Sequence, residues 1–359
     1  MFNLILKLLI LISFLYLIYY KIKYEKNISY FRNNKVDLIT KNIFKKYNII
    51  NTNNINNTIL FIPKTYTFYK NDFKLYNLNK IKYIYVLNGC DLIAGKNNLY
   101  YILKKSYNNE ILNKLIPKTW LIQNNMNLFK KKFNSNNIYI LKNNKQQKKG
   151  IYLSNNLNEI LNIKSNYCVI QKYINNTFLI NYRKVNLRLY LLIVYQNNQL
   201  NFYIHKNGKC LYSNNKFNSK SDLNNLNNFI TTSSNNLDKK HYNNNPLTLD
   251  DLKIYLYKKN LNYDKLFRNI INNLKIILYP FKKILLKKNI KFTNTLFQLF
   301  GIDYIFNNNL DVFLLEINKG PNMNIQLKND YKLKFEVIED TFNIIGLIKK
   351  NKNNYIKIL

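Results

Sequence analysis

Gln298-Leu-Phe-Gly-Ile-Asp303-Tyr-Ile-Phe-Asn-Asn-Asn-Leu-Asp-Val-Phe-Leu-Leu-Glu316-Ile-Asn318-Lys-Gly-Pro321 reads as two short apolar strands, Ile302–Phe306 and Val312–Ile317, joined by an Asn-rich turn. Asp303 sits near the start of the first strand. Glu316 and Asn318 lie near the end of the second, two residues apart and therefore on one face. A hairpin folds these strand ends together, so the three oxygen-bearing side chains can converge on one point. Two carboxylates and an amide are hard oxygen ligands of the kind that suits Mg²⁺, which keeps some waters and shares itself with phosphates. A plain hairpin with polar residues at its ends fits the same pattern.

Around the hairpin, 359 residues allow one large domain or two ordinary ones, and 47% apolar residues exclude a wholly disordered chain. The formal net charge of +38 comes from 56 Lys and Arg against 18 Asp and Glu. Such a field favours an acidic partner. A compositional cause competes with this, because Lys, Asn, Ile, Tyr and Phe all have A/T-rich codons. Three well-separated cysteines, Cys90, Cys168 and Cys210, and two histidines argue against a zinc site, a disulfide framework or Ser/His and Cys/His catalysis. They suit a reducing compartment.

From Phe2 to Tyr20 the chain is almost wholly Leu, Ile, Phe and Tyr, long enough for a membrane anchor. No small-residue cleavage site follows, and Lys21, Lys23 and Lys26 outweigh Lys7, which places the remainder on the cytosolic side. Further on, Ile81–Leu87, Ile138–Leu141, Ile151–Leu153 and Tyr167–Tyr173 read as strands. Leu99–Leu103, Ile111–Leu115 and Leu157–Ile163 read as helical. Lys184–Val194 and Gln199–His205 form an antiparallel pair around Asn197–Asn198. Residues 213–250, rich in Asn and Ser, read as a mobile insert. Leu252–Leu286 has helical spacing interrupted at Pro280, and Leu333–Leu347 reads as a closing helix. Helices interleaved with antiparallel hairpins give an α+β fold.

The hairpin resembles the metal-binding end of the ATP-grasp domain in the tubulin–tyrosine ligase family, where a Gly-x-Asp strand precedes a Leu-x-Glu-x-Asn strand. The resemblance covers roughly residues 80–350 and implies an ATP-grasp fold, with ATP and Mg²⁺ as cofactors and Asp303, Glu316 and Asn318 as metal ligands. It implies that Lys142, ending Tyr139-Ile140-Leu141-Lys142, reaches the ATP phosphates, with Lys96 in a looser register. Lys145, Lys148 and Lys149 would lie in the phosphate-covering loop that ends at Gly150. Gln171, Lys172, Tyr173 and Ile174 would line the adenine. Arg183-Lys184-Val185-Asn186-Leu187-Arg188 is similar to the family's Arg-Lys-Phe-Asp-x-Arg word, with Lys184 on phosphates and Arg188 on the transferring group.

Three positions depart from the family. Asn186 replaces an acid, Leu211 stands where an arginine follows a Glu-Gly turn, and Thr231-Thr232 lacks the Asn of a Leu-Thr-Asn word. The domains are then an anchor (1–22), an Asn- and Lys-rich stretch (23–58) that is a linker or a divergent start of the domain, and a ligase domain (59–350) in three parts, 59–130, 131–180 and 181–350. The implied activity joins a free amino acid (tyrosine, glutamate or glycine) to an acidic protein tail such as tubulin's, through an acyl phosphate. Gln298-Leu299-Phe300-Gly301 most resembles the tyrosine-adding branch. A weakened, membrane-tethered module that only binds acidic tails is the alternative. No nucleic-acid motif is present.

Overall fold

The computed structural model describes residues 29–32, 36–52, 58–63, 81–144, 150–218, 222–231 and 239–359. The expected anchor, the lysines at 145, 148 and 149, and Thr232 lie outside these residues. Among the described residues no helix is long and apolar enough to cross a membrane.

The strands are β1 (Ser29–Arg32), β2 (Ile50–Asn51), β3 (Leu60–Ile62), β4 (Tyr83–Ile84), β5 (Thr119–Leu121), β6 (Tyr139–Lys142), β7 (Ile151–Ser154) and β8 (Val169–Lys172). They continue with β9 (Leu179–Ile180), β10 (Arg183–Gln196), β11 (Gln199–His205), β12 (Lys209–Tyr212), β13 (Thr295–Phe306), β14 (Val312–Lys319) and β15 (Tyr355–Lys357). One mixed sheet runs β15-β11-β10-β13-β4-β3-β1-β2, with β9 and β12 pairing β10 and β14 pairing β13. A second, antiparallel sheet runs β5-β8-β6-β7. Mixed sheets with flanking helices make the fold α+β.

β10 and β13 form the middle of the large sheet, antiparallel from Leu187↔Tyr304 to Tyr195↔Leu296. Alternation divides their side chains between two faces. Phe300, Ile302, Tyr304 and Phe306 join Leu189, Leu191 and Ile193 against the helix Tyr263–Asn289. Phe297 and Leu299 join Tyr190 and Leu192 on the other face, against Leu333, Val337 and Phe342 of the helix Lys328–Ile344. With helices on both faces, β13 is buried throughout, which is why it reads as a nearly unbroken apolar run. Each such Phe or Leu contributes roughly 1.5–3 kcal/mol of burial. The β10–β11 hairpin turns at Asn197 and Asn198, whose φ values of 50° and 59° suit a two-residue turn with left-handed residues.

Two sequence expectations are corrected and an open one is decided. The stretch 23–58 read as a linker or a divergent start of the domain, and its described part is built into the fold. Leu38–Lys46 is a helix capped by Asp37, whose carboxylate accepts from Thr40 N at 3.0 Å. It buries Ile39, Ile43 and Phe44, and Phe44 stacks on Phe342. The apolar face was hidden by Asn and Lys on the opposite side.

The helical spacing does not break at Pro280, which lies inside Tyr263–Asn289. Proline removes the N–H that would reach the Ile276 carbonyl. The Tyr107 hydroxyl donates to that carbonyl at 2.7 Å instead.

The insert 213–250 contains packed residues. Phe229, Leu247 and Leu249 are buried, and Ser213 forms a β-bridge with Thr231. Few apolar residues suffice there because each is set against a preformed surface.

Candidate active site

A cavity of roughly 490 Å³ opens between the two sheets. The small sheet contributes Ile140 and Lys142 from β6 and Gln171 and Lys172 from β8. The large sheet contributes Lys184, Asn186, Arg188 and Tyr190, alternate residues of one face of β10, and Asp303 and Glu316 from β13 and β14. Among the described residues, those singled out from the sequence for nucleotide or metal binding all line this cavity: Lys96, Lys142, Gln171, Lys172, Tyr173, Ile174, Lys184, Arg188, Asp303, Glu316 and Asn318.

Asp303 and Glu316 are direct cross-strand partners, with a bulge immediately after Asp303. The Arg188 guanidinium grips the Asp303 carboxylate with two bonds, Nε to Oδ1 at 2.5 Å and Nη2 to Oδ2 at 2.9 Å. Gly301 makes room for this reach, since a Cβ there would stand 3.1 Å from Arg188 Cδ. Glu316 accepts from Asn318 Nδ2 at 2.7 Å and lies 3.8 Å from Lys96 Nζ. Burial raises the Asp303 carboxyl above its usual range against the pull of Arg188. Burial would raise Glu316 too, but Lys96 and Lys142 together hold it low. A buried carboxylate, Asp303, beside a half-buried one, Glu316, with an amide next to them, fits a hard divalent cation. Among the described residues no group of three His, Cys, Asp or Glu could hold a metal, because the third donor here is the Asn318 amide.

The cationic rim is set by secondary structure. Asn289, in the long helix, exchanges two 3.0 Å bonds with the backbone of Asn88, fixing the turn that leads to Lys96. Lys142 ends β6 and is buried, which lowers its pKa to about 8. Lys184 is buried deeper in effect, its pKa lowered by burial to about 7. Its ammonium donates to the Tyr173 hydroxyl at 2.6 Å and to the Ile174 carbonyl at 3.0 Å. Lys184 thus stands at the hinge between the sheets. In the hinge, Lys172 N–H and Tyr173 N–H are committed to the carbonyls of Lys118 and Ile138. Gln171 donates to Thr119, while its Oε1 is buried with no hydrogen-bond partner. An orphaned acceptor in such a hinge fits the amino group of a purine.

The departures from the family words meet in space. Asn186 and Leu211 are cross-strand neighbours, and Asn186 Nδ2 donates to Thr231 Oγ1 at 3.0 Å. All three line the cavity as one uncharged patch. Two further lysines on the cavity wall, Lys209 and Lys334, escaped the sequence reading. Lys209 shares the face of Leu211 two residues away, and Lys334 follows Asp330 by one helical turn. Those spacings were the available signals.

The profile of the tubulin-tyrosine ligase family matches residues 63–354. Relatives include a probable tubulin polyglutamylase, ttll-9, of Caenorhabditis elegans, 23% identical over 66% of this chain and 59% of its own length. A probable alpha-tubulin polyglutamylase, Ttll1, of Tetrahymena thermophila is 25% identical over 70% of this chain and 64% of its own length. The tubulin monoglutamylase TTLL4 of Mus musculus is 24% identical over 52% of this chain but only 17% of its own. The chain therefore spans less than two thirds of the length of these relatives. Most of its residues, including the whole small sheet, the central strands β10 and β13 and the carboxylate hairpin, fall within the matched profile, and the chain belongs to the tubulin-tyrosine ligase family.

Proposed function

We propose that the chain is an ATP- and Mg²⁺-dependent ligase of ATP-grasp fold that adds an amino acid to an acidic protein tail, tubulin's foremost. One observation carries this reading: hinge, lysines and paired carboxylates occupy a single cavity. ATP would supply the phosphoryl group that converts a carboxylate into an acyl phosphate, leaving ADP, and an incoming amine would then displace inorganic phosphate to form the amide. The chain's own residues bind and orient. Gln171 to Ile174 hold the base, Lys96, Lys142 and Lys184 neutralise phosphates, and Asp303, Glu316 and Asn318 hold the cation. Arg188 commits two of its five N–H donors to Asp303 and thereby fixes that carboxylate against β10. No side-chain nucleophile is required, in keeping with the scarcity of histidine and cysteine.

The names of the relatives favour glutamate as the added amino acid. The Gln298 side chain, part of the word that pointed to tyrosine, is wholly buried and bonded to the Leu299 carbonyl, which suits packing more than selection. The proposal keeps an anchor at residues 2–20 with the ligase domain on the cytosolic side, supported by the apolar run and the lysines that follow it. Alkaline carbonate extraction of the full chain from membranes tests that part, and release into the supernatant contradicts it. For the activity, intact-mass analysis of tubulin incubated with the chain, MgATP and each amino acid should show added residues. Tubulin stripped of its acidic tails should gain none. Equal labelling of both, or labelling of neither, contradicts the proposal.

A further inference from the structure

The register of β10 orders the cavity wall: Lys184 at the hinge, then Asn186, then Arg188 facing Lys209 across the strand pair. Lys209 therefore stands four strand residues from the hinge, about 13 Å along β10. Lys334 joins it from the helix Lys328–Ile344. Both lysines are 3% exposed, and behind them lies Asp330, wholly buried. Lys209 Nζ is 3.0 Å from Asp330 Oδ1 and donates to Gln326 Oε1 at 2.9 Å. Lys334 Nζ donates to Asp330 Oδ2 at 3.0 Å and to the Asn324 carbonyl at 2.6 Å. Lys209 spends one of its three donors on Gln326 and meets Asp330 as an ion pair, and Lys334 spends two, so each ammonium keeps at least one donor in reserve.

Two buried ammonium groups share one carboxylate, which leaves about one positive charge unbalanced. Burial lowers the pKa of both, that of Lys209 to about 8. The wall they present to the cavity is cationic, because Asp330 lies behind them and does not line it. A single excess charge matches a monoanionic carboxylate better than a phosphate. The phosphates already have Lys96, Lys142 and the carboxylate hairpin.

We propose that Lys209 and Lys334 form a subsite for a substrate carboxylate at the reacting end of the cavity, carried either by the free amino acid or by the acceptor tail. The inference rests on the ligase reading above. In it, Lys209 supplies positive charge beside Arg188 on the same strand face that Leu211 leaves uncharged.

The test uses the full chain and the variants Lys209→Met and Lys334→Met, made separately. Each leaves one lysine for Asp330, so the buried pair stays balanced and the fold should survive, as a thermal melt would verify. Lys209→Gln replaces Lys209→Met if that variant melts early. Calorimetric titrations would measure the Mg²⁺ complex of a non-hydrolysable ATP analogue, then free glutamate and an oligoglutamate peptide on the analogue-loaded protein. We expect about a tenfold or greater loss for one of the two carboxylate ligands, which identifies the source, with analogue affinity changed by less than about twofold. A parallel loss of analogue affinity makes this a phosphate site and overturns the proposal. Unchanged binding of both carboxylate ligands, or no binding of either by the wild type, also overturns it. Wild-type binding of glutamate without any transfer would sink the ligase reading and leave the subsite standing. Transfer by wild type with unaffected binding in the variants would sink the subsite alone.

Discussion

Lys184 gives the residue scale its clearest prediction. Its ammonium is buried at the hinge, and burial lowers its pKa from 10.5 to about 7. Nucleotide bound in the cavity brings negative charge toward it and favours the protonated form. Binding should therefore take up protons at and above about pH 7 and cease to do so well below it, where the amine is already charged. Titration calorimetry in buffers of different ionisation enthalpy measures this directly, and proton release would contradict it. The same group opposes folding below its lowered pKa. That penalty is relieved as pH rises from about 7 toward 10.5, because the unfolded chain still binds the proton there. Lys184, Asn186 and Arg188 were legible as one strand face from their alternation. Asp303, Glu316 and Asn318 were legible because a hairpin brings nearby residues together. Lys209, Asp330 and Lys334 were not, since they come from segments more than a hundred residues apart and only the fold unites them.

At the scale of elements, the helix Tyr263–Asn289 continues through Pro280 because Tyr107 replaces the missing donor to the Ile276 carbonyl. Tyr107→Phe should cost about 0.5–1.5 kcal/mol in urea unfolding. In a Pro280→Ala background, where the backbone N–H returns to that carbonyl, the same change should cost much less. Equal costs in both backgrounds would separate the tyrosine from the proline. Proline read locally ends a helix; the compensating hydroxyl lies far away in sequence, which is why the break was expected. The segment 213–250 teaches a related lesson. Phe229 packs with Ile138, Leu153 and Tyr173, whose hydroxyl donates to the Phe229 carbonyl at 2.5 Å. Phe229→Ala should lower stability by about 3 kcal/mol, and a change under about 0.5 kcal/mol would restore the view of an unpacked insert. Composition marked the segment as polar, but Phe229 seated against the small sheet, with Phe217 beside it, and Leu247 and Leu249 further on anchor it. The strand pair β10–β11 and the helices at Lys96–Ser106, Asn109–Leu115 and Leu157–Ile163 were legible, because local period and turn chemistry suffice for them.

For the whole molecule, the fold places a nucleotide-sized cavity between two sheets within a chain of net charge +38. If that charge attracts an acidic tail, raising the salt should raise KM for the acceptor while leaving kcat nearly unchanged, since screening acts on encounter more than on the buried site. A salt-independent KM would assign the charge to compositional drift. The α+β class was legible from interleaved helices and hairpins. The parallel half of the large sheet, β13-β4-β3-β1-β2, was not, because β1, β2, β3 and β4 are two to four residues long and are joined across distant segments.

The central claim is that Asp303 and Glu316, paired across β13 and β14, hold the cation that an ATP-driven ligation needs. Glu316→Gln removes a ligand charge and keeps the volume, so the fold should stand while the chemistry fails. The direct measurement is the rate of labelled glutamate incorporation into tubulin by the full chain and by Glu316→Gln, each with ATP and with or without Mg²⁺. The account predicts Mg²⁺-dependent incorporation by the wild type and a loss of about a hundredfold or more in the variant. Wild-type rates from Glu316→Gln, or incorporation indifferent to Mg²⁺, would contradict it.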